Sequence, residues 1–344
     1  MPRIEHEPRG TVISRRFKTL TPRIVGLIVV TLLLPLLLAV ALVVDVVRFA
    51  TARRPFMALR MVLMLWVYLA GEVVCIIGFG LSWLFALGPR RAEKLEHQAW
   101  LIQCFWTASI LRPLIFLFRL RVTIDGDDQI EPGPLLVFIR HASIIDNMLP
   151  GVFIARPHQL NLRYIIKREL LADSGLDIGG NRLTNYFVRR DSGQEIERAN
   201  IKRLAANLGP GDGVLLFPEG TRFTPERRER ALAKIAERDP ALAERAAQIQ
   251  YLLPPKPGGV LAILDGAPDA DVLLFAHAGF DGLRLLSDIW RGDLVSRTIA
   301  LRFKRVPRSQ IPAGRDERVA WLFDAWAEMD RWVGEQLSAA TASS

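Results

Sequence analysis

A run of 21 residues from Ile24 to Val44 contains no charged side chain. As an α-helix this run is about 31 Å long, which matches the hydrocarbon core of a bilayer. It exceeds the apolar core of a signal peptide, about 7–15 residues, and a second apolar run follows from Met57 to Leu87. Because a helix satisfies its own backbone in lipid, the two runs predict a membrane-embedded helical hairpin, with Pro35 tolerated inside the first helix.

The charges around this hairpin do not fix its depth. Basic residues stand before it, in its turn and after it, so charge bias does not orient the helices. A hairpin that spans the bilayer and one confined to a single leaflet both return the chain to the side from which it entered. The two cysteines, Cys75 and Cys104, lie in apolar runs without a C-x-x-C motif, which is typical of a reducing compartment. We therefore expect an inner, cytoplasmic membrane location, with the main domain on the cytoplasmic side.

Composition divides the chain into five segments. A flexible basic arm of residues 1–23 precedes the hairpin of residues 24–90. Residues 91–120, rich in aromatic and aliphatic side chains with interspersed arginines, predict a helix at the membrane interface or in a core. The main domain covers residues 121–337, and residues 338–344 form a polar tail. The net charge of +9 favours anionic surfaces, and with this N-terminus we expect membrane lipids rather than nucleic acid as partners.

Short apolar strands alternate with helices in the main domain. This alternation predicts an α/β fold, with a mixed sheet flanked by helices. The capping signals Thr224-Pro225 and Asp239-Pro240 predict two helices between residues 225 and 250. Strands are predicted at Arg121–Gly126, Leu135–Ile139, Arg163–Ile166, Asn185–Val188, Val214–Phe217, Val272–Ala276 and Thr298–Val306, and further helices at Asp146–Ile154, Gln194–Leu208 and Trp321–Leu337.

The strand Val214–Phe217 ends in the sequence F-P-E-G-T-R. Proline cannot continue a central strand, and Gly220 allows a tight reversal. Glu219 and Arg222 therefore emerge at the end of a buried strand, where ligands of α/β folds bind. By itself, Glu-x-x-Arg is more often a loop with a salt bridge.

A second motif follows the strand Leu135–Ile139. There, His141 and Asp146 are separated by four residues, which lets the two side chains meet if a helix begins just after the strand. A carboxylate on one imidazole nitrogen fixes the tautomer and makes the other nitrogen a better base. The motif alone also fits a surface histidine beside a helix-capping residue.

Together and in this order, the two motifs resemble those of the glycerophospholipid acyltransferase family, which includes the lysophosphatidic acid acyltransferases. That family carries an N-H-x-x-x-x-D block and an F-P-E-G-T-R block. Phe217–Arg222 matches the second block in full, whereas the first is matched at His141 and Asp146 with Arg140 in place of asparagine. The resemblance covers roughly residues 121–280 and implies a glycerolphosphate acyltransferase-like fold.

The resemblance also implies a set of binding residues. It assigns acceptor binding to the F-P-E-G-T-R block, with Glu219 near the acceptor backbone or holding Arg222. Planar guanidinium groups suit phosphate, which favours Arg222 and also Arg189, since the latter follows a short strand as in the family. Lys167 is a weaker candidate. The predicted substrate-binding residues are Glu219, Gly220, Thr221, Arg222, Arg189 and Lys167.

The implied activity is that of an O-acyltransferase. A fatty acyl chain would move from an acyl thioester, acyl-CoA or acyl carrier protein, to the hydroxyl of a lysophospholipid, first of all 1-acylglycerol-3-phosphate to give phosphatidic acid. His141 is the expected general base and Asp146 orients it. Without a G-x-S-x-G elbow we expect direct attack by the hydroxyl, with backbone amides near Asp146 binding the oxyanion. No metal site and no cofactor is expected, because no such motif is present.

Two alternatives remain. The acceptor is another lysophospholipid or a glycolipid, since the long basic insert after Arg222 resembles that of lysocardiolipin-type relatives. Otherwise the protein is a non-catalytic lipid-binding membrane module, against which the presence of both His141 and Asp146 argues.

Overall fold

The computed structural model describes residues 9–188, 193–281, 283 and 286–342. The chain forms two compact units. The first, here called the helical unit, comprises Met1–Leu114 and Ile166–Phe187. The second, the sheet unit, comprises Ile115–Ile165 and Val188–Ser344.

The helical unit contains three helices that are long and apolar enough to cross a membrane. These are α1 (Arg9–Ala52), α2 (Ala58–Phe85) and α3 (Arg91–Leu117), of which the last three residues are counted with the sheet unit; the short helix α4 (Ser174–Gly180) follows later in the chain. Helices α1 and α2 coincide with the two predicted apolar runs. The third helix occupies the segment for which an interfacial or core helix was predicted.

Residues 9–23 are helical, so the expectation of a flexible arm is wrong for them. Three arginines of this segment pair with acidic side chains of the same unit. Arg15 and Arg16 pair with Asp177 at 2.8 and 3.0 Å. Arg23 pairs with Glu72 of α2 at 3.0 Å, which explains the one acidic residue in the second apolar run. The ion pairs extend α1 beyond its apolar part.

Asp45 closes the turn between α1 and α2. Its buried carboxylate accepts the backbone N–H groups of Met57, Ala58 and Leu59 at 2.8, 2.9 and 2.9 Å. These donors at the start of α2 have no intrahelical partner, so an acceptor from α1 replaces the usual N-cap side chain. A charged residue at the end of the first apolar run thereby fixes the hairpin.

The sheet unit is built on a mixed sheet, as predicted. Six strands follow the order β1-β7-β6-β2-β5-β3. Neighbouring strands in this order are parallel, except β6 and β7, which are antiparallel. The short strand β4 spans the sequence position at which the chain divides into the two units. The central strand β2 is fully buried, which agrees with its uninterrupted apolar sequence. The strands are β1 (Arg121–Asp125), β2 (Leu135–Ile139), β3 (Asn161–Lys167), β4 (Tyr186–Val188), β5 (Asp212–Leu216), β6 (Asp271–Ala278) and β7 (Thr298–Val306).

Six α-helices accompany these strands: α5 (Gln194–Ala205), α6 (Pro225–Ala236), α7 (Pro240–Ala247), α8 (Pro257–Gly266), α9 (Leu286–Trp290) and α10 (Arg315–Ala342). The two helices predicted after Arg222 are confirmed, with Thr224 and Asp239 accepting backbone N–H groups as their N-caps. The helix predicted over Asp146–Ile154 is confirmed as the short apolar helix Ile145–Ala155, but it is irregular. It begins as a 3-10 turn (Ile145–Asn147) and ends as a π-helical turn (Gly151–Ala155).

We expect the chain to stay with membranes through washing at high salt and to leave them only with detergent. Most large apolar side chains of α1 are exposed in the structure, and salt does not screen apolar burial. Sedimentation of cell membranes after each wash measures this. Release of the chain by salt alone would contradict an integral anchor.

Candidate active site

The two sequence motifs follow neighbouring parallel strands. Phe138 of β2 pairs with Leu216 of β5, and both strands end within one residue of this pair. His141 and Glu219 each lie three residues beyond these partners. The register therefore brings the two motifs together, and the His141 N–H donates to Glu219 Oε1 at 2.7 Å.

The predicted contact between His141 and Asp146 is present. Nδ1 of His141 lies 3.0 Å from Asp146 Oδ2. The carboxylate is fully buried, whereas the imidazole keeps 16% of its surface exposed and rests against the ring of Phe217, with 4.4 Å between ring centroids. Because Oδ2 is an acceptor, Nδ1 carries the proton, and Nε2 is left with a lone pair for a proton from substrate.

Asp146 also organises the loop that carries it. Its Oδ2 accepts the N–H groups of Ala142 and Ser143 at 2.6 and 2.8 Å, and its Oδ1 accepts the Ser143 hydroxyl at 2.5 Å. The amides of Ala142 and Ser143 are therefore bound to the carboxylate and are not available for an oxyanion. The Ser143 hydroxyl is bound to the same carboxylate, which gives Ser143 a local hydrogen-bonding role.

The pKa of Asp146 is lowered despite its burial. Burial alone raises the pKa of a carboxyl group, but the positive potential of His277 and the hydrogen bonds from His141 and Ser143 outweigh it. The carboxylate therefore stays ionised, which is the form that orients a histidine base.

A second histidine, His277 on β6, was missed by sequence reasoning. It is fully buried, and its Nε2 donates to the Arg140 carbonyl at 3.1 Å and lies 3.4 Å from Asp146 Oδ1. Burial lowers the pKa of His277, although the nearby Asp146 carboxylate acts in the opposite direction. It lies 131 positions beyond Asp146 in the sequence, and no local motif marks it.

Arg140, which replaces the asparagine of the family pattern, is buried behind the dyad. Its guanidinium donates to the carbonyls of His277 at 2.6 Å and Tyr251 at 3.1 Å and forms an ion pair with Asp281. No local motif marks the partner, Asp281. Arg140 thus joins the ends of β2 and β6 to the loop before α8.

The Glu219 carboxyl group links two backbone segments through hydrogen bonds. Its Oε1 accepts the N–H of His141 and its Oε2 that of Leu253 at 2.9 Å, and its side chain is buried. Burial raises the pKa of Glu219 to about 8, although both hydrogen bonds act in the opposite direction. The group therefore holds the loop after β2 and the segment before α8 against the F-P-E-G-T-R turn.

The remaining residues of this turn are partly open. Gly220 has a positive φ of 67°, a conformation that favours glycine over residues with a Cβ. Thr221 and Arg222 are half-buried, and the Arg222 carbonyl accepts from Arg227 at 3.0 Å. Thr221 and Arg222 are thus displayed beside the dyad loop rather than packed in the core.

Lys167 and Arg189 are the other two predicted binding residues. Lys167 is exposed at the end of β3 and is counted with the helical unit. Arg189 lies outside the described residues. Among the residues that are described, no group of three or more His, Cys, Asp or Glu side chains is placed to hold a metal ion.

The stability of the protein is predicted to depend on Glu219 ionisation. Because the folded pKa of about 8 lies above the ordinary 4.5, Glu219 stabilises the fold fully below about pH 4.5 and loses this contribution as the pH rises to about 8. We compare melting temperatures of the wild type and Glu219→Gln in detergent between pH 5 and 8.5. The advantage of the wild type should shrink as pH rises; a constant difference would contradict a raised pKa.

Comparisons with known proteins agree with this geometry. Residues 121–268 match the family model described as Acyltransferase. Lysophosphatidylinositol acyltransferase 10 of Caenorhabditis elegans is 21% identical over 233 residues, which cover 64% of this chain and 58% of that relative. The chain thus spans less than two thirds of the relative's length.

A solved structure shares the fold. The 1-acyl-sn-glycerophosphate acyltransferase PlsC of Thermotoga maritima matches with a TM-score of 0.51 and 17% identity, covering 80% of this chain and 97% of that one. The family model covers the strands that carry both motifs, and the order and spacing of the motifs are those of the resemblance. The matches to an acyltransferase model and to two lysophospholipid acyltransferases support the glycerophospholipid acyltransferase family for the part of the chain that carries the dyad and the F-P-E-G-T-R turn.

Proposed function

We propose that the protein is a membrane-bound O-acyltransferase that moves a fatty acyl chain from an acyl thioester to the free hydroxyl of a lysophospholipid. The observation that carries the proposal is the His141–Asp146 contact at the end of β2, next to the F-P-E-G-T-R turn. An alcohol is a poor nucleophile until a base takes its proton, and this pair is such a base. The apolar helices α1 to α3 favour a membrane-bound enzyme acting on lipid.

In the proposed reaction, Nε2 of His141 takes the proton of the acceptor hydroxyl while its oxygen attacks the thioester carbonyl carbon. The tetrahedral intermediate collapses, the carbon–sulfur bond breaks, and the imidazolium returns the proton to the thiolate. Asp146 keeps the imidazole oriented and stabilises its cationic form throughout. One ester and one thiol are formed, and no group of the protein is acylated.

For the acceptor we favour 1-acylglycerol-3-phosphate. Its phosphate monoester suits the guanidinium of Arg222, which is displayed half-buried on the turn beside His141. Lysophosphatidylinositol is the second candidate, because the curated relative is named for it. Both carry a phosphate next to a free hydroxyl, so the same chemistry serves either, and a panel of lysolipids read by mass spectrometry tests which one is used.

We place the active site on the cytoplasmic side of the membrane. Cys75 and Cys104 are both buried free thiols, which is compatible with a reducing compartment. The thioester donors, acyl-CoA and acyl carrier protein, are soluble on that side. Protection of the sheet unit from protease in intact cells would support this side.

Replacement of His141 by Ala is expected to lower the rate of acyl transfer by a factor of about 10²–10⁴, because general-base catalysis typically accelerates a reaction by that factor. Asp146→Asn should approach the same loss, because it leaves His141 with the wrong tautomer. The double variant should be little worse than either single one, as the two groups act as a unit.

The matched control is Ser143→Ala, which removes a hydrogen bond to Asp146 but keeps the base and its carboxylate. It should retain most of the activity. Rates are measured with saturating donor and acceptor after folding is checked by thermal unfolding. Near-normal transfer by His141→Ala would falsify the proposed role of His141.

Substitution of Arg222 by Ala or Lys should weaken acceptor binding more than donor binding. Loss of a charge-assisted contact typically costs about 1.5–3 kcal/mol, or roughly tenfold to a hundredfold in KM. The control is a monoacylglycerol, which lacks the phosphate and whose slower transfer should not respond to the change. An equal rise of KM for donor and acceptor would instead mean that Arg222 shapes the site in general.

A further inference from the structure

A groove of about 820 Å³ lies beside the F-P-E-G-T-R turn, within the sheet unit. It is bounded by α5, by the insert helices α6 and α7, and by the start of α8. Glu219 and Thr221 of the turn form one end of it. The volume lies in the range of pockets that bury a small organic ligand, about 300–1,000 Å³.

One wall of the groove is basic. On α6 and just after it, Arg227, Arg230, Lys234 and Arg238 recur every three or four residues, which places them on one face of the helix. Arg198 of α5 faces them across the groove, with its guanidinium against Gly258 at the start of α8. With Lys256, six basic residues therefore line one concave surface.

The four basic residues on α6 and just after it are not neutralised by ion pairs with carboxylates in the described part of the chain. Within the described part of the chain, neither Lys234 nor Arg238 forms an ion pair, and the side-chain hydrogen bonds of Arg227 and Arg230 go to backbone carbonyls. The lining contains three acidic residues: Glu219 accepts two backbone N–H groups, Asp239 caps α7, and Glu197 lies on α5. The six basic residues of the lining outnumber them. The groove thus has an excess of positive charge that a bound anion would neutralise.

The remaining lining is apolar. Ile235 lies between the cations of α6, and Ile201, Leu242 and Phe323 add further apolar surface. A bare phosphate or an inositol ring would leave this surface uncovered. A ligand that joins several phosphates to a flat heterocycle would use both parts of the groove.

The groove lies next to the dyad loop, because Glu219, which lines the groove, accepts the backbone N–H of His141. The helix α6 is about 18 Å long at 1.5 Å per residue, so its distal cations lie well away from the dyad. A ligand bound among them needs an extended arm to bring a reactive group to His141.

We propose that this groove binds the nucleotide of coenzyme A, with the phosphates on the basic wall, the adenine on the apolar part and the pantetheine arm directed past Glu219. The proposal rests on the acyl transfer proposed above and assigns its donor as acyl-CoA. It separates two anion sites, the groove for the donor and Arg222 for the acceptor. An acyl carrier protein has no nucleotide to place in a concave groove and would contact only its rim.

The test is equilibrium binding of CoA to the full chain in neutral detergent, measured by titration calorimetry. The groove variant is Lys234→Gln with Arg238→Gln, both exposed and outside the dyad loops. The control is Lys202→Gln with Arg203→Gln, two exposed cations of α5 that do not line the groove. Both variants lose the same charge.

We expect the groove variant to bind CoA roughly tenfold more weakly or worse, and the control to bind like the wild type. Pantetheine 4′-phosphate, which lacks the nucleotide, should bind both variants alike. Equal CoA affinity in the groove variant and the wild type overturns the proposal. An equal loss in both variants also overturns it, because it would reflect the overall charge.

Two further results would overturn the assignment. One is a wild type that binds no CoA but accepts the acyl group of acyl carrier protein. The other is stabilisation of the wild type, but not of the groove variant, by short-chain phosphatidylglycerol while CoA has no effect, since the groove would then hold a lipid headgroup. If CoA binds through the groove but no lysolipid is acylated, the proposed acyl transfer fails and the groove assignment stands.

Discussion

The parallel pairing of β2 with β5 is the constraint on which the site depends. Its register sets Phe138 opposite Leu216, so the loops after both strands begin at the same level of the sheet. The hydrogen bond from the His141 backbone to Glu219 then joins the two loops. A shift of the register would separate the base from the turn that displays Arg222, however well each motif were formed by itself.

Three buried side chains, Asp146, Glu219 and Arg140, complete this arrangement through hydrogen bonds and ion pairs. Asp146 is surrounded by donors from its own loop, and Glu219 accepts two backbone N–H groups. Arg140 is neutralised by Asp281 while it holds two carbonyls. Such groups would be costly if unpaired, so their networks fix one geometry of the loops. A general base transfers a proton efficiently only when it is held in a fixed orientation to its substrate, and these networks hold His141 in place.

Local sequence signals predicted the parts of the structure that depend on neighbours in the chain. The strand ends, the dyad, and the caps at Thr224 and Asp239 all follow from residues within a few positions of each other. The contacts missed by the sequence are long-range. His277 and Asp281 reach Arg140 from 137 and 141 positions away, and Arg15 and Arg16 reach Asp177 across a similar distance. Charge spacing alone cannot reveal such partners, which is why residues 9–23 were expected to be flexible.

The central claim is that His141 activates the acceptor for direct attack, without an acylated protein. The most direct measurement is a single-turnover reaction of purified protein with a thioester labelled in its acyl chain, quenched with acid at short times. The account predicts that the label passes from thioester to lysolipid with none bound to protein, and that the donor persists when acceptor is omitted. A labelled acyl-protein that forms and decays as fast as product appears would contradict it.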